Sequence, residues 1–550
     1  MNVMLASVSV SSFSIGFGSE ITKQRRESGE ALSQSNYSRA IDPTLAAPGD
    51  SVGVSLANVH LSTRKLLVLV FFLMIFTVAA RPITDPDFWW HLKTGQYLVQ
   101  MRTVPHTDIF STFHFGKEWV AHEWLSEAFI FAIYQTLGYA GLIVIFALIV
   151  SAAFYICYRG FRDRVGHPYV IGLALLVGAF STLPTWGVRP QMFSLLFASI
   201  FLTVLDKHVR TGNTRQLWWL VPLMVCWVNL HAGFAAGLGL ILLTIIGVTV
   251  DSLVSQQETS ASLWNRTRYL IFVVFACLGA VVVNPNGFRI YSYPFETLRS
   301  PAMMKYISEW WSPDFHEPMF QPLAVLMLGT FAVMALSQKR ASLRAVLLLA
   351  VTCAAALKSA RNIPFFALVA IPLFAEHLWS WVSERRWSQF LTRPEKPEMG
   401  RAVLTKVALN FVVLVLVPSS VAFVRITQAV GKQNLTSSQQ FPAAAVDFLS
   451  HERLPQPIYN EYGWGGYLIW RLYPDYRVYI DGRADVYGDA FLEEFLKIHD
   501  GGPDWREPLE RQGIRTVIVK PDAVLARFLH EESGWSKVFE DSQAIIFTKK

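Results

Sequence analysis

The sequence predicts a polytopic α-helical membrane protein of about eleven transmembrane helices, N-in and C-out, with a small C-terminal α/β extracytoplasmic domain. Composition is the first observation behind this. Of 550 residues, 52% are hydrophobic and only 16% charged, against roughly 25% charged in ordinary soluble chains. Mean hydropathy is +0.34. The second observation is a recurrence of apolar runs near 64–80, 140–158, 168–186, 191–206, 216–231, 232–250, 268–284, 321–337, 343–357, 362–380 and 402–424. Each approaches the roughly 20 residues that a bilayer crossing needs. The third is the alternation of basic and non-basic loops between those runs.

In chain order, residues 1–60 are rich in Ser and Gly, with Lys23, Arg25 and Arg26 in the middle. They lack the basic-then-apolar order of a cleavable signal peptide and are expected to be a disordered cytoplasmic tail. The helical bundle follows over 61–424, with a long first outer loop at 81–127. Leu125–Leu137 is apolar but amphipathic. It reads as a helix lying in the interface or as the first part of a long second span.

Arg64 and Lys65, then Arg159, Arg162 and Arg164, then Lys207, Arg210 and Arg215 fall in alternate loops. The series continues with Arg266 and Arg268, with Lys339, Arg340 and Arg344, and with Arg385, Arg386, Arg393, Lys396 and Arg401. The positive-inside rule makes that side cytoplasmic. It also accounts for the net charge of +7 without a nucleic-acid partner. Cys157, Cys226, Cys277 and Cys353 lie inside apolar runs, lack metal-ligand spacing and read as packing residues.

From Arg425 the composition is that of an α/β domain over 425–550. Pro442–Ser450 and Ala490–His499 are helix-like, Arg477–Ile480 is strand-like, and Pro457–Tyr459 is apolar. Arg511–Lys520 reads as a helix end, a Gly cap and a buried strand. Trp535 to Lys550 reads as a hairpin, and the whole as three layers. No P-loop or dinucleotide glycine motif is present.

Polar groups that are not basic collect on the face opposite the basic loops. The densest stretch is R-P-I-T-D-P-D-F-W-W-H from Arg81, then T-D-I-F-S with Asp108, closing on W-V-A-H-E-W-L-S-E with His122, Glu123 and Glu127. The same face carries G-V-R-P-Q (Arg189), N-L-H-A-G-F (Asn229, His231), N-P-N-G-F, E-W-W-S-P (Glu309) and K-S-A-R-N-I-P (Lys358, Arg361, Asn362). Buried without partners, such groups are costly beside a membrane.

Asp85 and Asp87 form an Asp-x-Asp pair that suits a divalent cation, magnesium or manganese, or a general base. Its alternative is a solvated loop start stiffened by Pro82 and Pro86. Trp89 and Trp90 are candidates for substrate contact, set against the interfacial belt expected of the 18 Trp. His91 and His231 would stand around a ligand or be structural. Arg189, Lys358 and Arg361 call for an anion, either a neighbouring carboxylate or a lipid phosphate.

These features together resemble the C-type superfamily of integral-membrane glycosyltransferases, which use polyprenyl-phosphate-linked sugars. The superfamily includes protein mannosyltransferases, aminoarabinose transferases and oligosaccharyltransferases. The string D-P-D-F-W-W-H stands where it keeps an acidic motif, so the resemblance implies a catalytic or metal role for Asp85 and Asp87. N-E-Y-G-W-G-G-Y in the C-terminal part is loosely similar to the W-W-D-Y-G motif of oligosaccharyltransferases but lacks its Trp-Trp-Asp core, and no acceptor-binding residue is carried over from it. The sequence is also similar to bacterial polytopic membrane proteins that share D-P-D-x-W-W-H-L, N-L-H-x-G and I-D-G-R-x-D-x-Y-G.

The resemblance implies a hexosyl- or pentosyltransferase of the bacterial inner membrane. It would move sugar from a polyprenyl-phosphate donor to a glycan, lipid or protein acceptor on the periplasmic side. Asp85, Asp87 and His91 are then the expected catalytic residues. Trp89, Trp90, Arg189, Asn229, His231, Lys358, Arg361 and Asn362 are the expected substrate contacts. The rival expectations are a non-catalytic membrane scaffold or envelope-assembly protein, and a transporter or flippase of a lipid-linked glycan. A flippase would carry polar residues at mid-span or on both faces. A scaffold would leave the polar clusters without a common pocket.

Overall fold

A computed structural model describes residues 63–255, 259–385 and 401–550. The expected tail over 1–60 lies outside them, as do Arg386, Arg393 and Lys396 of one basic loop. Every apolar run falls in a helix. These are α1 (Thr63–Ala79), α3 (Trp124–Phe161), α4 (Pro168–Ser181), α5 (Gln191–Thr211), α6 (Leu220–Leu230), α7 (Phe234–Ser255), α8 (Ser260–Val281), α11 (Gln321–Leu336), α12 (Leu343–Lys358), α13 (Ile363–Ser383) and the long helix Arg401–Gln440. The helices α2 (Phe88–Met101), α9 (Tyr293–Arg299) and α10 (Pro301–Tyr306) lie in connections.

Helices are what lipid demands, since each closes its own backbone hydrogen bonds. Among the described residues, five helices are long and apolar enough to cross a membrane: Trp124–Arg164, Gln191–Thr211, Phe234–Ser255, Pro318–Leu336 and Ala360–Ser383. Leu66–Ala79, Pro168–Ser181 and Leu217–Leu230 are shorter apolar helices. The outward faces of α3, α4, α7, α8 and α11 keep large apolar side chains exposed, among them Leu148, Leu173, Leu242, Phe272 and Leu328. Water would penalise such a surface, whereas acyl chains suit it. The chain is a largely helical membrane protein.

The amphipathic stretch before residue 138 is set off from the span behind it. Gly138 sits at φ 61°, ψ −155° inside α3, where a residue with a Cβ would be strained. α3 is therefore two helices meeting at a bend.

The C-terminal part contains a four-stranded sheet in the order β1-β2-β4-β3. The strands are β1 (Ile458–Asn460), β2 (Thr516–Val519), β3 (Trp535–Glu540) and β4 (Ile545–Lys549). β1 pairs parallel with β2, and β2–β4 and β3–β4 are antiparallel. The expected hairpin and buried strand are thus both present. Arg477–Ile480 is not a strand. Val478 instead makes one isolated parallel bridge to Ser111 in the 81–127 loop. Its amide donates to Phe110 O at 3.1 Å, and its carbonyl accepts from Thr112 N at 2.9 Å. Helix Gly465–Leu472 packs on α2. The described residues consequently form one compact unit.

Candidate active site

The 81–127 loop is held in place before its acidic residues begin. The Gln433 amide, fully buried in helix Arg401–Gln440, accepts from Ile83 N at 2.7 Å and donates to Ile83 O at 3.1 Å. Two residues later Asp85 Oδ1 accepts the Asp87 amide at 3.0 Å, and Asp87 precedes the first turn of α2. Asp85 Oδ2 pairs with Arg189 Nε at 2.5 Å. Arg189 Nη1 pairs with Glu309, whose other oxygen lies 3.9 Å from Arg361 Nη1. The Arg361 guanidinium lies over the Trp310 ring, 5.0 Å from its centroid. A ladder Asp85–Arg189–Glu309–Arg361 therefore joins the loop to the starts of α5 and α13.

The ladder separates two cavities. The larger, about 400 Å³, is lined by Asp85, Asp87, Trp90, His91, Arg189, His231 and Arg361, with Glu123, Tyr462 and Asp485. The smaller, about 260 Å³, lies between the ends of α1 and α4 and the flank of α3, with Arg81 and Trp186 in its wall. Asp85, Pro86, Arg189 and Glu309 line both.

Glu123 is the hub of the larger cavity. Its carboxylate faces three imidazoles: His122 Nε2 at 3.4 Å, His231 Nε2 at 3.5 Å and His91 Nε2 at 3.7 Å. Burial opposes its charge, but these rings, His122 first, hold it well below the usual carboxylate range. For His122, burial is outweighed by the charge and hydrogen bond of Glu123, so it is raised and cationic at lower pH. Burial instead keeps His91 and His231 neutral, down at about 4 and about 3. The His231 tautomer is fixed as well. Its Nδ1 accepts from Gly233 N at 2.9 Å, leaving Nε2–H to point at Glu123. His91 Nδ1 lies 3.3 Å from the buried Glu127 carboxylate.

Asp85 is ion-paired with Arg189, whereas among the described residues no cation pairs with Asp87. Burial and then the Asp85 carboxylate push it up to about 7, against the pull of Arg189. Asp85 is also raised, chiefly by burial. Glycine lets the C-terminal part approach this carboxyl. A Cβ on Gly482 would collide with Asp87 Oδ1, and one on Gly466 would crowd Pro86 O and Trp90.

The next residue, Arg483, is buried and chelates Asp481 with Nε at 2.8 Å and Nη2 at 2.7 Å. Its Nη1 reaches Asp108 Oδ1 at 2.8 Å, and its guanidinium lies over Trp119, 4.7 Å from the centroid. The D-G-R string is thus a clamp on the T-D-I-F-S string.

Among solved structures the chain is similar to ArnT from Cupriavidus metallidurans in the apo state, at 15% identity and TM-score 0.47, over 88% of this chain and 98% of that one. It is similar to the oligosaccharyltransferase AglB from Archaeoglobus fulgidus at 10% identity and TM-score 0.47, over 88% and 74%. The arabinofuranosyltransferase AftD from Mycobacteria matches at 13% identity and TM-score 0.48, over 89% and 42%. No family model matches the chain, and no curated protein does.

Of the residues singled out from sequence, Asp85, Asp87, Trp90, His91, Arg189, His231 and Arg361 share the larger cavity. Four do not line it. Trp89 turns away, edge-on to Tyr467 at 5.1 Å and Phe441 at 5.6 Å. Asn229 is a tie between helices: its amide donates to Val225 O and Val283 O at 2.7 and 2.8 Å and accepts from Trp124 Nε1 at 2.7 Å. Asn362 donates to Ala355 O at 3.2 Å. Lys358 is exposed at the end of α12.

Glu123, Glu309 and Asp485 belong to the cavity and were not predicted as site residues. Glu123 and Glu127 were findable, because acids four apart at the apolar start of a helix share a face. Asp485 stands in the I-D-G-R-x-D-x-Y-G string, but nothing local in the sequence brings that string to the loop at 81–127. Arg189 is paired with two carboxylates, Asp85 and Glu309.

Proposed function

We propose that the chain is a membrane glycosyltransferase moving a hexosyl or pentosyl group from a polyprenyl-phosphate donor to an acceptor hydroxyl at the periplasmic face of a bacterial inner membrane. About eleven helices would cross the bilayer, with the sheet-bearing part extracytoplasmic. The observation that carries this reading is the Asp85–Arg189 wall. On one side of it stands a carboxyl tuned near neutrality, and on the other a pair of guanidinium groups. Arg189 is matched by Asp85 and Glu309, which also line the smaller cavity. Arg81, lowered by burial and then by the charge of Arg189, donates to Leu183 O and is the cation that would meet an anion there.

The acceptor occupies the larger cavity. Asp87 takes the proton from its hydroxyl as the oxygen bonds to the anomeric carbon, and the bond from that carbon to the phosphate oxygen breaks. The departing lipid phosphate gains charge, which Arg189 and Arg81 stabilise. A base near neutral pH is poised for such transfer. Glu123 and its imidazoles order the acceptor side, and Arg361 on Trp310 holds the upper rim. That Asp87, His231 and Arg361 share one cavity supports an enzyme over a scaffold.

Magnesium or manganese at Asp85 and Asp87 would compete with Arg189, which already holds Asp85. Among the described residues no group of three or more His, Cys, Asp or Glu stands in metal-ligand arrangement. Activity should therefore survive EDTA, and transfer restored only by added cation would mean that the Asp85–Arg189 pair opens.

The test is native mass spectrometry of gently extracted protein, followed by transfer assays with the co-purified lipid-linked sugar. A polyprenyl phosphate should be retained, and Asp87→Asn should lose at least about 100-fold in turnover. Full activity in Asp87→Asn would sink the assignment.

A further inference from the structure

A third cavity, about 470 Å³, lies at the opposite end of the bundle, among the basic loops. Its charged lining on α5, Asp206 and Arg210, lies about 22–28 Å along the helix from Gln191, so the proposed transfer does not use it. Six cations line it: Arg164, Arg210, Arg266, Lys339, Arg340 and Arg344. Among the described residues three carboxylates accompany them, Asp206, Asp251 and Glu376.

Those three are heavily shared. Asp206 takes Arg164 at 2.5 Å, Arg344 at 2.7 Å and Arg210 at 2.8 Å. Glu376 takes Arg164 and Lys339, both at 2.5 Å. Asp251 accepts the backbone amides of Leu343 and Arg344 at the start of α12. Four cations thus share two carboxylates, and Arg340 stands beside them in the lining. Deeper in, the walls become apolar, with Leu348, Leu368 and Val369. His377 also lines the cavity. It is 1% exposed, and its Nδ1 has no hydrogen-bond partner among the described residues.

A cationic mouth over an apolar depth fits one kind of ligand, an amphiphile with an anionic phosphate head. We propose that this cavity binds the phosphate headgroup of an anionic membrane lipid. The head would sit among Arg210, Arg340 and Arg344, its chains would follow the apolar wall, and His377 Nδ1 would meet a headgroup oxygen. Guanidinium groups match phosphate oxygens in pairs, and basic pockets between helix ends suit such lipids. A soluble phosphate compound shares the head chemistry but has no use for the apolar depth.

The experiment measures lipid retention by the purified full chain with phosphatidylglycerol against phosphatidylcholine. Phosphatidylglycerol should bind about 10-fold more tightly, and the double variant Arg210→Gln/Arg340→Gln should lose about 10–30-fold of that binding. Both side chains are exposed, and Asp206 keeps two partners without Arg210, so a monodisperse variant is expected. Equal binding of the two lipids, or an unchanged double variant, would overturn the site. Glycerol 3-phosphate competing at the same concentration as phosphatidylglycerol would overturn its assignment to a lipid.

Discussion

Asp87 owes its properties to what stands beside it. With the carboxyl pushed up to about 7, turnover should rise as pH passes through that value and level off above it. Asp85→Asn removes the neighbouring negative charge, so the acid limb of the pH profile should move to lower pH. An unmoved limb would assign the titration to another group. The same shift has a consequence for folding. A carboxyl whose folded pKa lies above its unfolded value of about 3.9 favours the folded state at low pH and loses that contribution as pH rises toward 7. Asp87→Asn should therefore be inactive yet melt at a higher temperature than the parent at pH 8. Gly482 acts on the same carboxyl by shape. Gly482→Ala would press a methyl against Asp87 Oδ1, so turnover should fall and stability should drop by about 1–3 kcal/mol. Wild-type turnover with normal melting would show that the loop yields.

Single elements explain what could be read from the sequence and what could not. Apolar run length located the helices, because backbone in lipid has few other solutions. It could not locate the bend at Gly138, which depends on one residue's φ. Neighbouring helical residues point about 100° apart, so Trp89 and Trp90 could not both face the cavity. Lys358 and Arg361 diverge because α12 ends between them. Arg483 lies further from local reasoning still. Its partner Asp108 is 375 residues away in sequence, and the strand-like character of Arg477–Ile480 gave no hint that the pairing would be to the 81–127 loop. This clamp should be stiff. Arg483→Met leaves Asp108 and Asp481 buried without their cation and should cost about 3–5 kcal/mol. Arg483→Lys should rescue little, since an ammonium cannot span both carboxylates as the fork does. Thermal melting of the two variants beside the parent is the check, and near-parental stability of the lysine variant would refute the geometric account.

For the whole molecule the decisive asymmetry is between two ends. One end gathers carboxylates and imidazoles, the other guanidinium groups, and α5, α7 and α13 connect them. Loop charge made this legible without coordinates. Which of the clustered groups meet was not legible, because each comes from a different connection. The proposed orientation predicts that single cysteines introduced at Asp314 and at Arg340 label from opposite sides of the membrane. An impermeant maleimide applied to intact cells should reach the first and not the second, and equal labelling would reject the arrangement.

The 375-residue span between Asp108 and Arg483 also sets an order of events. At synthesis rates of 5–20 residues per second, the 81–127 loop would wait roughly 20–75 s for the residues that close over it. Until they arrive, the nascent protein has its acidic floor but lacks the Gly482 backbone and the Arg483 clamp. Insertion and competence are therefore separate milestones. A chain stopped after residue 440 should be inserted but, on the proposed function, inert.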